Sequence, residues 1–274
     1  MAEEKPKAER VVETHVKELF GATFTIKVSL PLSYKDKPSE QYNTLFLVDL
    51  EDGHFESAAA SASEAHATTV TKERRNWFPE LIVASVSGGG EATPDMMIGG
   101  ATQFLLPFMD QSYRTYPYAA GRTLMGRAIA LAALRNDDIM KMFQNYVLVS
   151  PESAEGVGGE GRAKMLDNTA ILLTASKGDG ETTLAAARAC KAALDTRAGG
   201  PDAAQATTTV MQVDRHGEQQ YRQEATLGFL IELRELDGAG RDELVRDGVV
   251  WVCERVEKRK LERLGSLLPW HEFK

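Results

Sequence analysis

Six short apolar runs constrain the fold of this chain more than any other feature of its sequence. They lie at residues 45–48, 81–84, 123–125, 146–149, 170–173 and 209–211. Continuous runs of this length are typical of strands covered on both faces, as in a parallel sheet. Stretches with helical character lie between them, at residues 55–75, 98–109, 129–142, 181–194 and 219–233. This alternation predicts a mostly parallel sheet between two layers of helices.

The two ends of the chain follow different patterns. Residues 12–20 and 23–30 each alternate apolar and polar side chains, which predicts an antiparallel hairpin at the edge of the sheet. Residues 241–264 form an amphipathic pattern, for which docking on the chain's own domain is favoured over binding a partner. Residues 1–10 are charged and expected to fray. We therefore predict one three-layer α/β domain spanning residues 1–274.

Charge and composition limit the partners and the compartment. Forty acidic and 32 basic residues give a net charge of −8, which argues against nucleic acid or an anionic membrane. No apolar run is long enough to cross a bilayer, and residues 1–5 lack the hydrophobic core of a signal peptide. Two cysteines do not make a disulfide framework. We expect a cytoplasmic protein.

The stretch 122–131 has the pattern of a nucleophile elbow, the sharp turn between a strand and a helix in G-x-S-x-G motifs. A short apolar run leads into Gly126, and a helix-forming run begins at once. Small residues are required on both sides of the nucleophile because the turn is crowded, and Gly126 and Ala130 satisfy that requirement. The nucleophile position itself holds Ala128, which has no hydroxyl.

From here the chain resembles the esterase D-like serine hydrolases, in particular the branch that includes siderophore esterases. The resemblance rests on the order and spacing of residues 26–31, 47–49, 55, 81–86, 104–107, 113–115, 122–126 and 150–151. It implies an α/β-hydrolase fold, a triad of serine, Asp or Glu, and histidine, and no cofactor. No Cys/His/Asp cluster has the spacing of metal ligands.

Two residues follow the order of such a triad, in which the nucleophile precedes the acid and the acid precedes the histidine. Asp179 follows the buried run 171–174, where a carboxylate orients the imidazole. The alternatives are that Asp179 is a turn residue, or that Glu181 or Asp167 is the acid. His216 follows residues 207–213 and precedes a predicted helix, as a general base requires, and the alternative is a solvated surface histidine.

The oxyanion hole needs two backbone N–H donors. One is expected from Ile129, the residue after the nucleophile position. The resemblance implies that the other comes from the loop after Val48, at Leu50 or Glu51. A second motif, at residues 156–161, matches G-x-G-x-x-G, but it lacks the strand and helix that a dinucleotide site requires, so no nucleotide cofactor is predicted.

Ala128 has two explanations. Either it replaces the serine of a working hydrolase, or the chain is a natural pseudo-hydrolase that binds a ligand or partner without cleaving it. We favour the first here, because Asp179 and His216 are useful only together with a nucleophile. The predicted function is a serine-type carboxylic-ester or lactone hydrolase, inactive with Ala128. The expected substrate is a small-molecule ester or lactone, for instance a siderophore or polyketide-like lactone, and a homo-oligomer is left open.

Overall fold

A computed structural model describes residues 10–19, 21–72, 79–88, 94–158, 169–198, 207–213, 219–225 and 230–267. The strands in these parts of the chain are β1 Val12–Leu19, β2 Ala22–Ser29, β3 Asn43–Val48, β4 Leu81–Gly88, β5 Arg122–Gly126, β6 Asn145–Val149, β7 Ala170–Ser176, β8 Thr207–Val213, β9 Gln219–Ala225 and β10 Leu230–Leu236.

The helices are α1 Asp52–Lys72, α2 Pro94–Gly99, α3 Leu106–Ser112, α4 Ala128–Arg135, α5 Asp137–Met140, α6 Glu181–Arg197 and α7 Arg241–Leu267. A π-helical segment, Gly100–Leu105, joins α2 to α3. None of the described helices combines the length and the apolar character that crossing a membrane requires.

Eight of these strands form one mixed sheet in the order β1-β2-β4-β3-β5-β6-β7-β10. The hairpin β1–β2 and the pair β2–β4 are antiparallel, and every other neighbouring pair is parallel. The predicted parallel sheet with an antiparallel N-terminal edge is therefore confirmed. Because the parallel strands point the same way, the loops after β3, β5, β6, β7 and β10 meet at one edge, here named the carboxyl edge.

Helices cover both faces of the sheet because its strands are apolar on both faces. Phe46 and Leu124 pack in a core with α2, α3, α4 and α6. Leu47 and Met125, the next residues along the same strands, pack in a second core with α1 and α7. The C-terminal helix α7 thus docks on its own sheet, as predicted, and its Trp251 is 2% exposed.

The helix predicted at residues 219–233 is wrong, because this stretch contains β9 and most of β10. The apolar side chains of β10 alternate between the two cores: Ile231 and Leu233 pack on one and Leu230 on the other. Charged residues interrupt that alternation because β10 is the last strand of the sheet. Its Arg234, for example, lies 2.8 Å from Asp247 of α7.

The run at 209–211 was predicted to be a strand of the parallel sheet, and this too is wrong. Residues 207–213 form β8, which pairs antiparallel with β9 in a separate two-stranded sheet. The last parallel position beside β7 belongs to β10 instead. The loop at the carboxyl edge that follows the final parallel strand is therefore the one after β10.

Helix α7 lies close against the sheet at Gly248. A Cβ atom there would lie 2.8 Å from both Met125 Cε and Val147 Cγ1. We predict that Gly248→Ala lowers the free energy of unfolding by about 1–3 kcal/mol, because the added methyl overpacks this contact. Urea denaturation measures the change.

The matched control is Gly53→Ala in α1, where an added Cβ meets nothing within 4 Å. Alanine is the better helix former, so this variant should be as stable as the parent chain or more so. A Gly248→Ala variant as stable as Gly53→Ala would contradict the close approach of α7, because both substitutions gain the same helix propensity.

Candidate active site

The strand–turn–helix predicted at residues 122–131 is present. Strand β5 ends at Gly126 and α4 begins at Ala128, with Arg127 between them at φ −106° and ψ −102°. A Cβ atom at Gly126 would lie 2.5 Å from the carbonyl oxygen of Val48, so only glycine allows the end of β3 to approach this closely. Ala128 is exposed at the carboxyl edge, and the side chain after it, Ile129, is buried.

Asp49 holds this turn in place. It follows β3 directly and has a φ of +47°, in the left-handed region that aspartate tolerates better than most residues. Its Oδ1 accepts a hydrogen bond of 2.8 Å from the backbone N–H of Arg127, and its Oδ2 accepts one of 2.9 Å from that of Ile129. A carboxylate is well placed here, because the first N–H groups of a helix lack partners and carry partial positive charge.

Opposing effects act on the charge of Asp49. Burial raises the pKa of this carboxyl above its ordinary value of 3.8, because the charged form loses contact with water. The backbone N–H groups of Ile129, Arg127 and Ala128 act in the opposite direction, because they bind the ionised form. The net direction is upward, so burial outweighs the three N–H groups in its effect on this pKa.

These bonds engage the N–H that the sequence assigns to the oxyanion hole. Ile129 donates to a carboxylate oxygen, so an oxyanion placed there would meet a second negative charge. The role of Ile129 as an oxyanion donor therefore remains a prediction. So does the role of Leu50, which is half-buried in the loop between β3 and α1, and that of Glu51, which is exposed.

Asp179 lies at the carboxyl edge, in the one-turn 3₁₀ segment Lys177–Asp179 after β7. It is exposed, and its Oδ2 accepts a 2.6 Å hydrogen bond from the Oγ of Ser150. In the sheet, β6 separates β5, which leads to Ala128, from β7, which leads to Asp179. Asp179 remains the predicted acid. Of its alternatives, Glu181 is the first residue of α6, and Asp167 lies outside the described residues.

His216 lies outside the described residues, in the segment between β8 and β9 along the chain. Its role as general base remains a prediction, and β8, the strand that precedes it, does not belong to the main sheet. The loop after β10, residues 237–240, contains no histidine. The described histidines lie on β1 and α1.

Ion pairs connect the loops of the carboxyl edge. Arg127 of the elbow pairs with Glu152, which follows β6. Lys177 Nζ lies 2.5 Å from Asp237 Oδ1, which joins the loops after β7 and β10. Arg241 and Glu51, 3.2 Å apart, join the start of α7 to the loop after β3. In the described parts of the chain no group of three or more His, Cys, Asp or Glu residues could hold a metal ion.

Sequence reasoning missed two residues of this site. In the sequence, Asp49 and Ser150 stand out only as members of the short stretches that carry the family resemblance. Ser150 is in fact buried, has a φ of +46°, and positions Asp179. The available signal was their place in the sequence, since both polar residues directly follow a buried strand that borders β5.

Comparison with solved structures places this architecture among esterases. A ferulic acid esterase is 13% identical, with 90% of this chain and 97% of that chain covered and a TM-score of 0.63. An IroE-like serine hydrolase from Shewanella oneidensis is 13% identical, with 90% of this chain and 80% of that chain covered and a TM-score of 0.61. An S-formylglutathione hydrolase from Agrobacterium tumefaciens is 15% identical, with 90% of this chain and 95% of that chain covered and a TM-score of 0.52. No protein-family profile and no curated protein matches the sequence.

The likeness at these identities is one of fold. Together with the strand order and the elbow after β5, it shows that the chain has the α/β-hydrolase fold that these esterases share. The fold implied by the sequence resemblance is therefore confirmed.

We predict that Asp49→Ala lowers the free energy of unfolding by about 1–3 kcal/mol, because the N–H groups of Arg127 and Ile129 lose a charged acceptor. Urea denaturation at neutral pH measures the loss. The control is Glu51→Ala, two residues further on, which removes an exposed ion pair and should change stability by less than about 0.5 kcal/mol. Equal effects of the two substitutions would show that Asp49 does not hold the elbow.

Proposed function

We propose that this chain is a non-hydrolytic protein on an esterase fold, which binds a small-molecule ester or lactone at the carboxyl edge without cleaving it. One observation carries the proposal: beside Ala128, the backbone N–H of Ile129 is bound by the carboxylate of Asp49. Two parts of the hydrolytic machinery would thus be altered at the same turn. The nucleophile position holds an alanine, and the predicted oxyanion donor, the N–H of Ile129, is already bound by a carboxylate.

Serine-type hydrolysis needs a nucleophile that can be deprotonated. The methyl group of Ala128 has neither a proton to give to a base nor a lone pair to attack a carbonyl, so no acyl-enzyme can form at this position. The reaction also needs N–H donors aimed at the developing oxyanion, and loss of one such donor costs about a hundredfold to a thousandfold in rate. Asp49 engages that donor and adds a negative charge beside it.

Binding does not need these groups. Ligands of open α/β sheets bind outside the carboxyl ends of the strands, and Ala128 is exposed at that edge. Hydrogen bonds hold the loops around the elbow, from Asp49 to Arg127 and Ile129 and from Ser150 to Asp179, which favours a preformed site. The structural neighbours, among them a ferulic acid esterase, support an ester as the ligand. The lactone is what the sequence resemblance to siderophore esterases implies.

The second candidate is the serine-type ester or lactone hydrolase itself, with its serine replaced at position 128. Two features favour it. The elbow after β5 is where the nucleophile of a triad would lie, and the hydrogen bond from Ser150 positions Asp179, the predicted acid. In that case a serine would be acylated, and water activated by His216 would hydrolyse the acyl-enzyme. Asp49 would have to release the N–H of Ile129 before the oxyanion hole could act.

The Ala128→Ser variant decides between these candidates. We expect it to show neither labelling by a fluorophosphonate nor turnover of aryl esters and lactones above the rate of the parent chain. Mass spectrometry detects the label, and product release gives the rate.

Ala132→Ser is the matched control for nonspecific labelling, because it places a hydroxyl on the same helix away from the elbow. An unrelated active serine esterase shows that the probe is reactive. Stoichiometric labelling confined to the Ala128→Ser variant, or turnover by it, would refute the non-hydrolytic proposal and establish the second candidate.

Binding without cleavage is tested on the parent chain. We expect at least one compound in a panel of aryl esters, methyl ferulate and macrocyclic lactones to raise the melting temperature and to be recovered intact. Ala128→Phe should abolish this shift, because a large side chain at this exposed position fills the space beside the elbow where the ligand is proposed to bind. Ala132→Phe should retain the shift. Absence of any shift across the panel, or an Ala128→Phe variant that binds like the parent, would contradict a ligand site at this edge.

A further inference from the structure

Strand β1 is an open edge of the main sheet. Within the described residues it pairs only with β2. The carbonyl oxygen of Val11 accepts a 2.9 Å hydrogen bond from the N–H of Leu30, so the odd-numbered residues of this strand point their backbone groups toward β2. In an antiparallel ladder the alternate residues point the other way. Residues 12, 14, 16 and 18 therefore direct their N–H and C=O groups away from the sheet.

The same four residues place their side chains on one exposed face. Val12 is 46% exposed and Val16 is 62% exposed, and Thr14 and Glu18 are exposed beside them. Open backbone groups together with exposed valines form a ready template for pairing with another strand.

We propose that β1 pairs antiparallel with β1 of a second copy of this chain, about a twofold axis at Thr14, and so extends the sheet across two protomers. Thr14 then lies opposite Thr14 of the partner, and Val12 lies opposite its Val16. The paired residues are those whose backbone groups point outward. Two Val–Val contacts flank the threonine pair on the exposed face.

Side-chain charges and apolar contacts together select this register. Around Thr14, Glu13 faces His15, so no like charges lie opposite each other. A twofold axis at Glu13 would place two carboxylates directly opposite, which is destabilising. An axis at His15 would pair Glu13 with Lys17, but it would set Val12 against Glu18, and both Val12–Val16 contacts would be lost.

An axis at Val16 is disfavoured because it leaves one Val16–Val16 contact in place of two Val12–Val16 contacts and places Thr14 against Glu18. The opposite face of β1 is already packed. Tyr113 donates a 2.5 Å hydrogen bond to Glu13 and lies 2.9 Å from His15 Nε2, and the ring of Phe108 meets His15 edge to face. These contacts hold the strand in an extended form before it pairs.

Sedimentation equilibrium of the full chain tests the pairing. We expect a reversible dimer, and we expect Val16→Lys to raise its dissociation constant at least about tenfold, because the substitution removes two cross-strand apolar pairs per dimer. The control is Val250→Lys on α7, another exposed valine, which should leave the dimer unchanged. A parent chain that is monomeric up to about 100 μM, well above the range of stable dimers, would overturn the proposal, as would a dimer unaffected by Val16→Lys.

Cysteine crosslinking tests the register independently of dimer strength. In a hydrogen-bonded antiparallel pair the Cα atoms lie about 5.5 Å apart, within the range of a disulfide. We expect Thr14→Cys to crosslink two chains under mild oxidation. In the same register Val16→Cys should not do so, because the two cysteines would be about 14 Å apart. Both native cysteines, Cys190 and Cys253, are buried and should not react. Crosslinking by Val16→Cys but not by Thr14→Cys would overturn the proposed axis.

Discussion

The contact between the Asp49 carboxylate and two backbone N–H groups fixes the turn on which the rest of the site depends. It joins the end of β3 to the turn between β5 and α4, across about 80 residues of chain. The contact is possible because Gly126 has no side chain, and it is favourable because the start of a helix attracts negative charge. The same contact has a chemical consequence. The N–H that an esterase would use for its oxyanion already has an anionic partner.

The sequence predicted the features that depend on local pattern. Continuous apolar runs indicated the parallel strands, because a strand between two helical layers needs apolar residues on both faces. Gly126 with the helix-forming run after it indicated the elbow, and the amphipathic pattern after residue 240 indicated α7. In each case a single short window contains the physical cause.

The features that the sequence did not predict depend on contacts between distant segments. Strand β10 was predicted as a helix because charged residues interrupt its apolar alternation, and the partners of those charges, such as Asp247 for Arg234, lie on other elements. The role of Asp49 could not be inferred from residues 45–51, because its two donors lie 78 and 80 positions further on. The same applies to Ser150, whose partner is Asp179. Hydrogen bonds of this kind are visible only once the topology is known.

The most direct measurement is of the amide protons of Arg127 and Ile129 by NMR. If Asp49 binds them, both amides exchange slowly with solvent, and both shift together as one carboxyl titrates with a pKa above the ordinary value of 3.8. In Asp49→Ala the common titration disappears and the exchange of both amides accelerates. If the Ile129 amide instead exchanges rapidly in the parent chain and shows no titration, its N–H is free, and the central claim about this site is wrong.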